Sequence, residues 1–274
     1  MTSPAPIYTV RSASSIDEAS ALWWPLMKEL GWNRAEDDAK THYQVAQNGK
    51  NWLLLFPDSS PQAGGCVVAF TYPNGTGWVA FFIMNSSLRG QGLGRALWTE
   101  MENTFRANGT SVIGLDGVQE QVETYKRRGF EDCARIPLMH TGLDRAAYWT
   151  ADALPSRIHA YGYATISNAQ LTGFVYVRRC ELGYRIGPLY AETYTQAKQL
   201  LHRAMNETAA SNGSYIAEIF GPNSAGKRVF EELGWTYAGL DYHRMWLHGK
   251  VPEEQQQGGK GVAGMYAIFD ACAG

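Results

Sequence analysis

The stretch Arg89-Gly90-Gln91-Gly92-Leu93-Gly94 decides how the first half of this chain is interpreted. It lies between an apolar run that ends at Met84 and a segment with helical spacing from about Arg95 to Asn108. Its glycines let the backbone turn tightly and approach a ligand closely. The N–H groups and the dipole at a helix N-terminus favour an anion. The loop therefore predicts a phosphate site, and a pyrophosphate is its natural occupant.

Two familiar phosphate-binding motifs do not fit this loop. A P-loop requires Gly-Lys-Ser/Thr, which does not follow here, and the dinucleotide motif requires G-x-G-x-x-G at the start of a βαβ unit. This loop instead follows a predicted antiparallel meander of three β-rich runs, Trp52 to Phe56, Gly65 to Tyr72 and Gly77 to Met84. A glycine-rich connector that binds no ligand remains the alternative.

The segments on either side of the meander and loop complete an α/β unit. The apolar spacing predicts an amphipathic helix from Ile16 to Leu30, with Ser15 as its N-cap. A second helix is expected from Ala35 to Gln47. After the loop and its helix, we expect three further elements: a strand from Ser111 to Asp116, a helix from Glu120 to Arg128 and an extended segment from Phe130 to Met139.

A second set of elements follows a connection without periodicity. The predicted elements are strands at Leu171 to Val177, Tyr184 to Tyr190 and Tyr215 to Phe220, helices at Thr195 to Ser211 and Ser224 to Leu233, and a closing strand at Met265 to Phe269. The stretch from Tyr125 to Phe130 has the same layout as that from Phe230 to Trp235, which favours a divergent duplication. We therefore predict domains at residues 1–140 and 157–274, joined by a linker at 141–156.

Composition excludes several classes of protein. The chain has 274 residues, 45% of them hydrophobic, and a formal net charge of −2, so it is globular and has no basic field for nucleic acid. Its four cysteines are far apart and form no C-x-x-C pair, so we expect free thiols and no metal site. It has neither a signal peptide nor an apolar run long enough to span a membrane. We expect a soluble, cytoplasmic protein.

At this point the sequence resembles the GNAT acyltransferases. Their signature Q/R-x-x-G-x-G/A, which follows the fourth strand, is matched by Arg89, Gly92 and Gly94. Their helix with an aromatic residue before Gly-Phe is matched by Tyr125, Gly129 and Phe130. Gly31-Trp32-Asn33, Asp38 and the stretch from Gly114 to Val118 look like a subgroup with two GNAT-like halves. The resemblance implies an α/β fold of two tandem GNAT-like domains, each a mostly antiparallel sheet flanked by helices.

The resemblance also implies acetyl-CoA as cosubstrate, bound at one site. Its pyrophosphate would lie on the backbone of Arg89, Gly90, Gln91, Gly92, Leu93, Gly94 and Arg95, and its pantetheine arm would pair with Phe82, Ile83 and Met84. The second half departs from this pattern, because its corresponding linker is Ala191-Glu192-Thr193-Tyr194 and holds no glycine. It also has Phe230 where the tyrosine would be. The second domain is therefore expected to be degenerate.

Acyl transfer from a thioester to an amine needs a neutral amine, a donor for the developing oxyanion and a proton for the departing thiolate. The resemblance implies that Tyr125 supplies that proton and that a backbone N–H near Met84 stabilises the oxyanion. The general base is less determined. Asp116 is the first choice, directly or through water, with Asp38 and Glu120 behind it. A structural or substrate-orienting role is the alternative for each of them, including an N-cap role for Asp116.

In this family the acceptor meets the connector between the first two helices. The candidate substrate-binding residues are Trp32, Asn33, Asp38 and Glu120. An acidic and aromatic mouth suits a small cationic amine, such as an amino sugar, an amino acid or a polyamine. A protein lysine or N-terminus is the alternative acceptor, and a non-catalytic acyl-CoA-binding regulator is the opposing class. The protein is expected to be a monomer or a homodimer.

Overall fold

The computed structural model describes residues 8–58, 60–132, 143–150, 152–209, 213–256 and 258–273. Its helices are α1 (Ile16–Glu29), α2 (Asp38–Val45), α3 (Leu93–Ala107), α4 (Val122–Lys126), α5 (Tyr194–Thr208), α6 (Ser224–Glu231) and α7 (Lys260–Gly264). Its strands are β1 (Tyr8–Ser12), β2 (Trp52–Pro57), β3 (Gly65–Thr71), β4 (Thr76–Met84), β5 (Val112–Val118), β6 (Phe130–Asp132), β7 (Ala160–Ser167), β8 (Gln170–Cys180), β9 (Gly183–Ala191), β10 (Ser214–Ile216), β11 (Tyr242–Leu247) and β12 (Met265–Ala267). The predicted mixed α/β fold is confirmed.

The chain forms two compact units that are interleaved in sequence. Unit 1 comprises Met1–Ser111 and Arg145–Ser156, and unit 2 comprises Val112–Asp144 and Arg157–Gly274. These bounds are not those of the domains predicted from the sequence, because β5, α4 and β6 belong to unit 2. The predicted domain ranges describe a duplication, and they stay a prediction.

Unit 1 contains the predicted antiparallel meander, with β1 added at its outer side. The strand order is β1-β2-β3-β4, and all three pairings are antiparallel. The three predicted runs match β2, β3 and β4, and each predicted end lies within one residue of the observed end. β1 was not predicted from the sequence. The core beneath these strands is rich in aromatic side chains, and Trp23, Trp52 and Trp78 are fully buried.

Helix α1 begins where the sequence predicts, because Ser15 caps it. The Ser15 hydroxyl accepts a hydrogen bond from the Glu18 N–H at 3.1 Å. The helix buries its apolar face, which consists of Ala19, Leu22, Trp23, Leu26 and Met27. Helix α2 is shorter than predicted and ends at Val45, and positive φ angles of 55° at Gln47 and 52° at Asn48 turn the chain toward β2.

Unit 2 contains two groups of strands. One has the order β10-β9-β8-β7, with β12 also paired to β9, and its core packs α5 and α6 against the sheet. The other has the order β5-β11-β6. The predicted strands and helices of the second half are present, although β10 ends at Ile216 rather than Phe220. The predicted extended segment is described only as β6, and its remainder lies outside the described residues.

Strand β11 is the main topological feature that the sequence analysis missed. It comes from the second half of the chain, yet it pairs antiparallel with β5 on one side and with β6 on the other. Met245, for example, lies opposite both Leu115 and Asp132. The two strands nearest the Tyr125 motif are therefore completed by residues more than a hundred positions later.

The described residues lack two features that would point to particular functions, a membrane-spanning helix and a cluster of metal ligands. None of the described helices is long and apolar enough to cross a membrane. Among the same residues, no group of His, Cys, Asp and Glu side chains is arranged to hold a metal ion. The side chains of Cys66 and Cys180 are buried and that of Cys272 is half-buried, and these three described cysteines form no disulfide, as predicted. Cys133 lies outside the described residues.

The insertion of β11 predicts how fragments of the chain behave. A fragment of residues 1–156 contains unit 1 but lacks β11, so the backbone groups of β5 and β6 that pair with β11 have no partner. We therefore expect the fragment to unfold at a lower temperature than the full chain in circular dichroism, and co-expression with residues 157–274 should restore the temperature of the full chain. Cooperative unfolding of the isolated fragment at the temperature of the full chain would contradict this expectation.

Candidate active site

The candidate phosphate loop leads from the end of β4 into α3. Gly92 is the N-cap residue of α3 with a left-handed φ of 78°, and Gly90 has a φ of 75°. Arg89 is turned back onto β4, where its Nε donates to the Met84 carbonyl at 3.0 Å. The Gln91 amide donates to the Ser87 carbonyl at 2.9 Å. These two bonds hold the loop in place while its backbone remains exposed.

The N-terminus of α3 is open. In the first turn of α3 the Arg95 N–H donates to the Gly92 carbonyl at 3.0 Å, and Gly92 has no side chain that could cap the others. A Cβ built on Gly90 or Gly92 would meet no protein atom within 4 Å. The loop thus combines a helix start without a side-chain cap, a helix dipole and open space beside its two left-handed glycines, and this arrangement suits an anion such as a pyrophosphate.

The equivalent helix in unit 2 is closed. At the N-terminus of α5 the Thr193 hydroxyl accepts a hydrogen bond from the Gln196 N–H at 3.3 Å. The preceding residue is the exposed Glu192, whose charge opposes an incoming phosphate. Phe230 is fully buried on α6 and has no hydroxyl. The start of α5 is therefore capped where that of α3 is not, and the single CoA site stays a prediction.

The end of β4 carries a bulge next to the loop. Cys66 lies opposite Ile83 and Val68 lies opposite Ala80, so Val67 alone faces two residues, Phe81 and Phe82. Phe81 has a φ of 49°, which is rare for an aromatic residue. Buried aromatic contacts hold it, including the Trp23 ring at 5.6 Å and the His42 ring at 5.1 Å between centroids.

Helix α3 packs directly on this bulged end. A Cβ built on Gly94 would lie 3.6 Å from Cζ of Phe82 and 3.9 Å from Cγ of Met84, which is ordinary contact. Ile83 and Met84 are buried, whereas Phe82 is half-buried. The ten residues predicted to bind CoA are residues 82–84 on β4 and residues 89–95 in the loop and at the start of α3, and all of them lie in unit 1. The side chain of Arg95 is exposed.

Tyr125 lies on α4 in unit 2. Its ring lies over Gly117 of β5, where an added Cβ would come within 2.9 Å of the Tyr125 Cε2 atom, and it contacts the Phe130 ring at 6.3 Å between centroids. The pKa of Tyr125 is raised to about 12, mainly by burial and also by the charge of Cys272, against the opposing effect of Arg128. The hydroxyl is therefore protonated throughout the neutral pH range.

Asp116 forms a buried ion pair. Its Oδ1 accepts from Nε of Arg244 at 2.7 Å and its Oδ2 accepts from Nη2. The Asp116 side chain is 4% exposed and that of Arg244 is 1% exposed. The two residues are direct partners in the β5–β11 register, so Asp116 lies inside a strand and is not a helix N-cap. A guanidinium that engages both oxygens favours the positioning role over that of a general base.

The predicted acceptor residues differ in accessibility. Trp32 and Asn33 are half-buried, and Glu120 is exposed in a short 3-10 helix. Asp38 is 3% exposed, and its carboxylate accepts a hydrogen bond from the Ala35 N–H at 3.1 Å. The Arg34 guanidinium, itself 1% exposed, lies 5.9 Å from the centre of the Trp32 ring. The Trp32 ring thus already has a cationic neighbour from this chain.

A buried polar cluster in unit 1 escaped sequence reasoning. Nδ1 of His42 lies 3.2 Å from the Tyr148 hydroxyl oxygen, and both side chains are 2% exposed. Asp38 and His42, four residues apart on α2, indicate a shared helix face, but nothing in the sequence connects that face with Tyr148. The sequence gives one indication of the role of Arg244, because a charged residue directly before the apolar residues Met245 and Trp246 of β11 needs a partner if the strand is buried.

The fold and the loop together define an acyltransferase of the CoA-dependent type. Residues 16–130 match the model of the Acetyltransferase (GNAT) family, and residues 153–257 match a second model described as Acetyltransferase (GNAT) domain. The two matches follow one another and leave only short segments uncovered. The chain belongs to the GNAT acetyltransferase family, with two GNAT-like domains in tandem.

Individual relatives agree with the family. The chain is 24% identical over 284 residues to a holothin acyltransferase from Pseudoalteromonas sp. (strain SANK 73390), covering 90% of this chain and 92% of the relative. Its fold is similar to a putative acetyltransferase from Pyrococcus horikoshii, with a TM-score of 0.68, 16% identity and coverage of 100% and 99% of the two chains. A GNAT family N-acetyltransferase from Escherichia coli in complex with CoA matches 48% of this chain and 73% of its own, with 22% identity and a TM-score of 0.36.

The open helix N-terminus predicts a specific loss of ligand binding. Gly92→Ala adds a side chain to a left-handed residue and should cost about 1–2 kcal/mol of strain. Because this strain falls on the loop, acetyl-CoA affinity measured by calorimetry should fall about tenfold or more. Gly109→Ala is the matched control, since Gly109 follows the other end of α3 with a φ of 67° and open space around it. Equal affinity loss in both variants would refute a local role for Gly92.

The Asp116–Arg244 pair predicts a coupled loss of stability. Asp116→Asn and Arg244→Met each leave one buried charge without its counter-charge, so each should lower the free energy of unfolding by about 3–5 kcal/mol. The double variant should lose less than the sum of the two. Urea denaturation of all four proteins measures this coupling. If Asp116→Asn instead keeps full stability and loses only turnover, Asp116 acts as a base.

Proposed function

We propose that this chain is an acetyl-CoA-dependent N-acetyltransferase that acetylates a small primary amine by direct attack. The observation that carries the proposal is the open, glycine-capped N-terminus of α3 beside the bulged end of β4. That arrangement supplies backbone donors for a pyrophosphate and, further along β4, backbone groups for an extended pantetheine arm. Residues 89–95 would bind the former, and Phe82, Ile83 and Met84 the latter.

The reaction requires a group that stabilises the oxyanion and a group that protonates the departing sulfur. The amine nitrogen attacks the thioester carbonyl, a C–N bond forms, and the C–S bond then breaks. A backbone N–H at the end of β4 would stabilise the oxyanion, and the Tyr125 hydroxyl would protonate the departing sulfur. Because burial raises the pKa of Tyr125 to about 12, its hydroxyl holds the proton at neutral pH and would give it to the sulfur as the C–S bond breaks. Water, which takes the proton of the attacking amine, would return one to the Tyr125 phenolate.

The base in this proposal is water rather than a carboxylate. Both oxygens of Asp116, the first choice from sequence, accept hydrogen bonds from Arg244, and the Asp38 carboxylate accepts one from the Ala35 N–H. Glu120 is exposed and is the remaining carboxylate of the three. We assign Asp116 to positioning of β5 beneath Tyr125, and Trp32, Asn33 and Glu120 to the acceptor.

Release of the CoA thiol on addition of an amine tests the reaction class. The panel consists of an amino sugar, an amino acid, a polyamine, a lysine-containing peptide and holothin, the compound for which the curated relative is named. Thiol release with a small amine supports the proposal, whereas release with the peptide alone would favour protein acetylation. Tight acetyl-CoA binding without release from any of them would favour a non-catalytic regulator.

Tyr125→Phe tests the assignment of the acid. Loss of a proton donor should lower kcat about 100-fold or more, while acetyl-CoA binding is retained. Tyr8→Phe is the matched control, because Tyr8 is exposed on β1 and should leave kcat unchanged. In the wild type, deprotonation of Tyr125 should reduce the rate only near pH 12. Normal turnover of Tyr125→Phe would show that another group protonates the sulfur.

A further inference from the structure

Strand β7 forms one edge of the sheet β10-β9-β8-β7 in unit 2. It pairs with β8 along its length, from Ala160 opposite Arg178 to Ser167 opposite Gln170. Within the described ranges of the chain, no strand pairs with its other side. Backbone N–H and C=O groups therefore face outward along an edge of eight residues.

This edge lacks two of the features by which proteins keep sheet edges apart, charged residues and proline. The strand reads Ala-Tyr-Gly-Tyr-Ala-Thr-Ile-Ser, and its pairing with β8 shifts register once, between Thr165 and Ile166 near its end. The edge strands β1, β6 and β10 differ in this respect. β1 is five residues long and carries Arg11, β6 is three residues long with two acidic residues, and β10 is three residues long.

Exposed apolar side chains are concentrated around the same strand. Ile158 is 76% exposed, Ile166 71%, Leu171 50% and Tyr161 38%. Ile166 and Leu171 are direct partners at the β7–β8 turn, so their side chains form one apolar patch beside the free edge. A solvated edge gains nothing from such side chains, whereas a paired edge would cover them.

We propose that β7 is a dimerisation edge, on which a second copy of this chain adds its own β7 antiparallel about a two-fold axis. An axis at Tyr163 sets Tyr161 against Thr165 of the partner subunit, and Gly162 against Ala164 of the partner subunit. Aromatic and β-branched residues are favourable cross-strand partners. The strand itself holds no charged residue, and Arg203 of α5, which lies 5.6 Å from the centre of the Tyr163 ring, forms an ion pair with Glu207.

A second copy fits this edge better than a foreign segment does. In a two-fold contact the same surface faces itself, so every backbone donor that finds an acceptor does so twice. An uncharged strand offers a charged peptide no ion pair to select it. Pairing through one strand buries a small area, and the dimer should therefore dissociate on dilution.

Introducing a charge of either sign at Ala164 tests the interface. Ala164 is exposed near the centre of β7, and Ala164→Lys and Ala164→Glu each place like charges across the two-fold axis. Sedimentation velocity over about a hundredfold range of concentration should show a dimer for the wild type and monomers for each variant. An equimolar mixture of the two variants should dimerise again, because the charges are then opposite.

Matched substitutions separate this interface from a general effect of charge. Ala21→Lys and Ala21→Glu change an exposed alanine on α1, and they should leave the dimer intact. Thermal melts confirm that each variant is folded, and either Ala164 variant suffices if the other unfolds. A monomeric wild type throughout the range, or a dimer that persists in both Ala164 variants, would overturn the proposal. Neither outcome depends on acyl transfer, so the proposal stands or fails apart from the proposed function.

Discussion

The ion pair between Asp116 and Arg244 joins two strands whose paired residues are 128 positions apart in sequence. Both side chains are almost fully buried, so each charge depends on the other to remain there. The pair fixes β11 against β5, and β11 in turn provides the strand on which β6 pairs. Tyr125 packs on Gly117, the residue that follows Asp116. The position of the proposed acid therefore rests on a salt bridge to the other half of the chain.

The two halves of the duplication differ most at one turn of helix. In unit 1 a left-handed glycine precedes α3 and provides no side-chain cap, whereas in unit 2 Thr193 caps α5 with its own hydroxyl. A side-chain cap stabilises a helix by satisfying the same donors that a phosphate would use. The start of α5 is therefore stabilised locally at the position where the start of α3 is left uncapped.

Local signals in the sequence were sufficient for much of the fold. Ser15, the glycine loop and the turn-bounded apolar runs predict α1, α3 and the meander, since each depends on neighbours in the chain. β11 could not be predicted, because its partners are distant and the buried Arg244 interrupts the apolar pattern of a central strand. The position of the glycine loop at the start of α3 could be predicted from its glycines, and its binding of CoA stays a prediction. The role of Asp116 could not, because its partner is visible only in three dimensions, and the same holds for the positive φ of Phe81.

The late position of β11 has a consequence for synthesis. Ribosomes add about 5–20 residues per second, so residues paired across β5 and β11 emerge roughly 6–25 s apart. During that interval the edges of β5 and β6 that pair with β11 are exposed, and Asp116 has not yet met the charge of Arg244. Such a nascent chain is open to mispairing with other chains, and contacts so distant in sequence also slow folding. Strands β5 and β6, which are translated in the first half of the chain, are therefore among the last to complete their pairing.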